Sequence, residues 1–134
     1  MKLYFSHTIR GLRGNECHPE IQKENIKKAC QRAYVLQEHF PEHEWIVPHA
    51  NEIVNRLYFK GLVDGDAIED VECELIQEDG IDGVVVVGEY GQQTGVAREA
   101  LAAYKAGKFV WFIDDVDELG RMSLASGIAE WISD

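Results

Sequence analysis

Short apolar runs alternate with longer amphipathic stretches along the whole chain. KLYFS at 2–6 is apolar and aromatic, and the polar, glycine-bearing HTIRGLRGN follows, a strand leading into a loop. From Pro19 to His39 the apolar positions Ile21, Ile26, Ala29, Cys30, Ala33 and Leu36 recur at helical intervals. Pro19 suits a first helical turn and Pro41 ends the pattern. EWIVPH at 44–49 predicts a second strand closed by Pro48. A short helix follows over 51–62, with Ile53, Val54, Leu57 and Tyr58 as its buried side. A further helix is predicted over 65–79, with Ile68, Val71 and Leu75 on one stripe and Gly80 as its stop. IDGVVVVGE at 81–89 is a continuous β-branched run, the mark of a strand buried on both faces. A helix from Thr94 to Ala106 ends at Gly107, KFVWFID at 108–114 is another apolar strand, and a last helix spans 117–132.

Strands alternate with helices and the inner strands are apolar throughout. This predicts a mainly parallel sheet sandwiched by helices, a single flavodoxin-like or Rossmann-like α/β domain over residues 1–134. A chain of 134 residues can bury an adequate core without staples. In such sheets ligands gather beyond the carboxyl ends of the strands. The loops after residues 6, 48, 88 and 113 are therefore where chemistry is expected.

Charge narrows the partners. A net charge of −11 repels phosphate backbones and anionic lipid, which argues against long nucleic acid and membranes but not against one nucleotide in a local pocket. Cys17, Cys30 and Cys73 show no metal spacing and no CxxC. His39 and His43 have metal spacing, but Pro41 between them breaks the helix, so no metal and no cofactor is expected. The opening run is too short for a signal-peptide core and no segment approaches a membrane span, so a cytoplasmic protein is expected.

The first loop offers Ser6, His7, Thr8, Arg10 and Gly11, a set able to cradle a phosphate or sugar. The second gives His49 after Pro48, and the third, GEYGQQTGVARE, brings Gly88, Gly91 and Gly95 where backbone can approach a ligand closely. Glu99 follows one turn into the helix, at the rim of the face formed by Val96, Ala100, Leu101 and Ala103. Helix dipoles favour carboxylates near such starts. The position also aims Glu99 at the crevice. On the preceding helix Asp66, Asp70 and Glu74 share one face at intervals of four. A carboxylate from each helix could meet over the sheet and divide nucleophile and acid roles in glycosidic cleavage.

YFSHTIRG at 4–11, PHA at 48–50 and GVAREALAAYKAGKFVWFI at 95–113 resemble the nucleoside 2-deoxyribosyltransferase-like family, and within it the 2'-deoxynucleoside 5'-monophosphate N-glycosidases. The resemblance implies cleavage or exchange of the N-glycosidic bond of a deoxynucleoside or its monophosphate. It implies Glu99 as nucleophile at C1' and Tyr4 beneath the sugar, bonded to that carboxylate. Ser6, Thr8, Ile9, Arg10 and Gly11 would line the site and hold a 5'-phosphate, and His49, Gly88, Thr94, Gly95 and Val96 would complete it. An aspartate of the preceding helix would support the leaving base; Asp70 is the choice by type and helix position, with Asp66 and Glu74 as alternatives. Gln93 stands where these glycosidases have a serine, and Arg98 adds a cation beside the nucleophile position; turned inward, it would pair with Glu99. The family further implies a homodimer or larger assembly, with 121–127 (RMSLASG) as a segment that could reach a neighbour's site. The rival expectation is a module on the same fold that binds a nucleotide or nucleotide signal and never cleaves it.

Overall fold

A computed structural model describes residues 1–9, 18–87 and 95–113. Four strands form one sheet: β1 (Lys2–His7), β2 (Glu44–Ile46), β3 (Gly83–Val87) and β4 (Phe109–Ile113). The helices are α1 (Pro19–His39), α2 (Glu52–Phe59), α3 (Gly65–Ile76) and α4 (Gly95–Lys105). The strand order is β2-β1-β3-β4 and every pairing is parallel, the flavodoxin-like arrangement.

Alternation along the strands divides the core in two. Leu3 and Phe5 of β1, with Val85 and Val87 of β3, face Ala29, Ala33, Leu36 and Phe40 from α1 and its C-terminal end. The two alanines let that helix lie close to the sheet. Tyr4, Val84 and Val86 point the other way and meet Ile76 of α3 and Val96, Ala102 and Ala103 of α4. The predicted α/β sandwich is therefore present, with helices on both faces.

The ends of the elements follow local chemistry. His18 accepts from the Glu20 N–H and caps α1, and Pro19 takes the first helical position. Asn51 accepts from Val54 N–H at 3.1 Å and caps α2. Gly107, at φ 70°, adopts the left-handed geometry that ends α4 and turns the chain into β4.

Several expectations shift. The strand expected over 44–49 ends at Ile46, because Pro48 opens a 3-10 turn over Pro48–Ala50. Ile53, Val71 and Leu101, expected on buried faces, are exposed. On α3 the buried stripe is phased on Ile76: counting back by threes and fours gives Cys73, Glu72, Glu69, Ile68 and Gly65. Val71 lies outside that stripe, and so do Asp66, Asp70 and Glu74, all of them exposed. The helix predicted over 117–132 and the segment 121–127 lie outside the described residues. No helix among the described residues is long and apolar enough to cross a membrane.

Candidate functional site

The strand order fixes where a ligand can enter. The chain leaves β1 toward β2 on one side and returns to β3 on the other. The carboxyl ends of β1 and β3 therefore flank a crevice that no crossover covers. A cleft lies there, reached by His7, Thr8 and Ile9 after β1, Pro48 and His49 after β2, Glu69 and Glu72 of α3, and Gly95, Val96 and Glu99 of α4.

Glu99 is the centre of this cleft. It is 4 % exposed, and its carboxylate accepts from two hydroxyls on one face of β1. Ser6 Oγ donates to Oε2 at 2.8 Å, and Tyr4 Oη lies 3.2 Å from Oε1. Tyr4 Oη also lies 3.0 Å from Glu72 Oε2. A phenol has one proton, so Tyr4 can donate to only one of the two carboxylates at a time. Burial, and then the negative charge of Glu99, push the Tyr4 hydroxyl well above its ordinary range, so it remains a donor. Burial also raises the Glu99 carboxyl well above the usual glutamate range, and the neighbouring Glu72 charge adds to this, outweighing the opposite effect of Ser6. The Tyr4 hydroxyl stands between the two carboxyl groups, and burial makes Glu99 favour its proton.

Glu69 is a third carboxylate, 6 % exposed, packed against the first residue of α4. A Cβ on Gly95 would sit 2.7 Å from Glu69 Oε1, so any larger residue there makes the Glu69 carboxyl swing aside. Arg98 turns outward. Its guanidinium bonds Asp70 and lies 3.7 Å from Glu69 Oε2, and so it bridges the two helices instead of pairing with Glu99.

The opposite wall carries two imidazoles. His7 Nδ1 lies 2.8 Å from Thr8 O and Nε2 lies 2.8 Å from Arg32 Nη1, which sets Nδ1 as the protonated nitrogen of a neutral ring. Its neighbour His49 packs edge-on to it, with ring centroids 6.5 Å apart. Burial lowers His7 to about 4 and, with His7 adding to the effect, His49 to about 3. Both are neutral at ordinary pH. The backbone carbonyl of His49 accepts from Asn55 Nδ2 at 3.0 Å, which anchors the loop to α2. Ile26, Val54, Tyr58 and Ile68 give this end of the cleft an apolar lining.

Of the residues the sequence nominates, Glu99, Tyr4 and Ser6 form one hydrogen-bonded cluster, and Thr8, Ile9, His49, Gly95 and Val96 line the same cleft. Asp70 is corrected: it sits on the solvent side of α3 against Arg98, and the carboxylates that reach the cleft from that helix are Glu69 and Glu72. Arg10, Gly11, Gly88 and Thr94 lie outside the described residues. Glu69 and Glu72 had a signal in the sequence, since both fall on the stripe counted back from Ile76. Among the described residues no group of three His, Cys, Asp or Glu side chains is placed to hold a metal ion. The chain matches no family model, no curated protein and no solved structure.

Proposed function

We propose that this chain cleaves, or exchanges, the N-glycosidic bond of a 2'-deoxynucleoside or its 5'-monophosphate, with Glu99 as the nucleophile. One observation carries the reading: a buried carboxylate at the β1/β3 crevice takes two hydroxyl hydrogen bonds and stands one hydroxyl away from a second carboxylate. In the reactive form the proton that burial favours on Glu99 has passed through the Tyr4 hydroxyl to Glu72, leaving Glu99 ionised. The Glu99 oxygen forms a bond to C1', the C1'–N bond breaks, and its electron pair goes to the base nitrogen, which takes the proton from Glu72. Water, or a second base, then displaces the sugar from Glu99. Desolvation makes the ionised carboxylate more reactive, and Tyr4 and Ser6 hold it in line. The apolar side chains of Val54, Tyr58 and Ile68 suit a planar base.

The test is a panel of deoxynucleosides and deoxynucleoside monophosphates incubated with the protein, with free base followed by chromatography. Release of base that disappears in Glu99→Ala, with ligand affinity retained, is the expected result. The burial that biases Glu99 toward its neutral form also favours a second reading, a binding module on the same fold. Saturable binding with no base released from any member of the panel would select that second reading.

A further inference from the structure

Outside the cleft, α1 and α2 enclose a groove lined by Lys23, Ile26, Glu52, Asn55, Arg56 and Phe59, with Lys60 at its end. Ile26 and Asn55 line both the groove and the cleft, so the two adjoin at the α1/α2 side. The groove holds three cations and one carboxylate, Glu52, in a chain whose net charge is −11. Lys23 lies 3.5 Å from Glu20 and stands over the Phe59 ring at 5.2 Å. Arg56 and Lys60 are one turn apart, and neither pairs with a carboxylate among the described residues. Both stand at the C-terminal end of α2, where the helix dipole favours cations. Here the chain concentrates positive charge beside the mouth of an otherwise acidic site.

We infer that this groove holds a second phosphoryl group of the ligand, so that the preferred ligand is longer than a mononucleotide. The inference rests on the glycosidic reading and extends it to substrate size. With the sugar over Glu99, a ligand that continues past Ile26 and Asn55 brings its next anionic group between Lys23 and the Arg56–Lys60 pair. The guanidinium offers paired donors to two phosphoryl oxygens and the ammonium groups supply point charges. Two chemistries share that feature: a pyrophosphate link and a phosphodiester link.

Calorimetric titration decides it, using Glu99→Gln protein so that no ligand is consumed. The titrants are a deoxynucleoside monophosphate, the matching diphosphate and a dinucleotide with one internal phosphodiester. The expected result is at least tenfold tighter binding of one of the two longer ligands at low salt. That gain should collapse to within twofold in protein that also carries Arg56→Gln and Lys60→Gln, both at exposed positions. Whichever of the two shows the gain identifies the link. A monophosphate that binds as tightly as both longer ligands, or a gain that survives the double neutralisation, overturns the groove while leaving the glycosidic reading standing. Failure of all three to bind overturns the glycosidic reading, and the groove assignment goes with it.

Discussion

Replacing Glu99 by glutamine should abolish turnover and at the same time stabilise the protein. Glu99 is buried beside Glu72, with Glu69 near, so its ionised form is desolvated and repelled in the folded state only. Its folded pKa is raised above the ordinary value of 4.5. The folded protein therefore holds more protons than the unfolded chain at any pH between that value and the raised one. Stability falls as pH rises through this window, by about 1.4 kcal/mol per pH unit for one proton. Glutamine keeps the volume and carries no charge. Its oxygen still accepts one hydroxyl, and its amide can donate toward Glu72, so the loss of hydrogen bonding is held to roughly 1 kcal/mol. Within that window the variant's advantage should grow by about 1.4 kcal/mol for each pH unit, and each kcal/mol raises Tm by roughly 3–5 °C for a chain this size. The advantage should vanish near pH 4, where the unfolded carboxyl also takes its proton. His7 and His49 impose the opposite pH dependence, but they are common to both proteins and cancel in the difference. The assay is urea denaturation of both proteins from pH 4 to pH 8. A difference that does not change with pH, or a variant less stable at pH 7, would refute the buried-pair reasoning.

Three further outcomes follow from the same geometry. Asp70→Asn should leave turnover within about threefold of wild type, while Glu72→Gln lowers kcat by about a hundredfold or more, the usual range for losing a general acid; steady-state kinetics on the two variants separates the faces of α3. Gly95→Ala puts a methyl group 2.7 Å from Glu69 Oε1, so the Glu69 carboxyl swings aside; denaturation should report a change within about 1 kcal/mol, and turnover should fall as that carboxylate leaves the cleft. His49, depressed to about 3, binds its proton in the unfolded chain first; stability is lost as pH falls below 6.5, and His49→Phe should flatten that acid limb in denaturation curves at pH 7 and pH 5.

The sequence was most informative where one local signal had no competitor. Pro19 and Pro41 bracket α1, and its observed bounds, Pro19–His39, agree with the expectation. The Val84–Val87 run could only be an inner strand, and it pairs on both sides in the parallel sheet. The resemblance implied that Tyr4 bonds the Glu99 carboxylate, and the two meet in space with Ser6 beside them. The second acid was misplaced because α3 carries carboxylates in two helical phases. Spacing alone shows that Asp66, Asp70 and Glu74 share a face, and equally that Glu69 and Glu72 do. What decides between the phases is packing: Tyr4, 68 residues away in sequence, reaches Glu72. A phase count anchored on Ile76, the residue of α3 most deeply buried, resolves it; one anchored on Val71 and Leu75 does not. Arg98 followed the same logic, since its direction depends on the carboxylates a neighbouring helix presents.

The alternation of β1 has a consequence for how the sheet finds its pairing. Side chains 4 and 6 deliver hydroxyls to Glu99, while 3 and 5 are purely hydrocarbon and face α1. If β1 paired one position out of register, Leu3 and Phe5 would face Glu99 and both hydroxyls would be turned into the apolar layer under α1. The buried carboxylate would then have no donor from the strand, a penalty of about 1–3 kcal/mol or more for a charged group. Glu99 thus acts as a proofreader of strand alignment: the same residue that sets the chemistry makes the misaligned sheet the more expensive one, so a substitution that removes it should loosen folding fidelity even as it strengthens the correctly folded state.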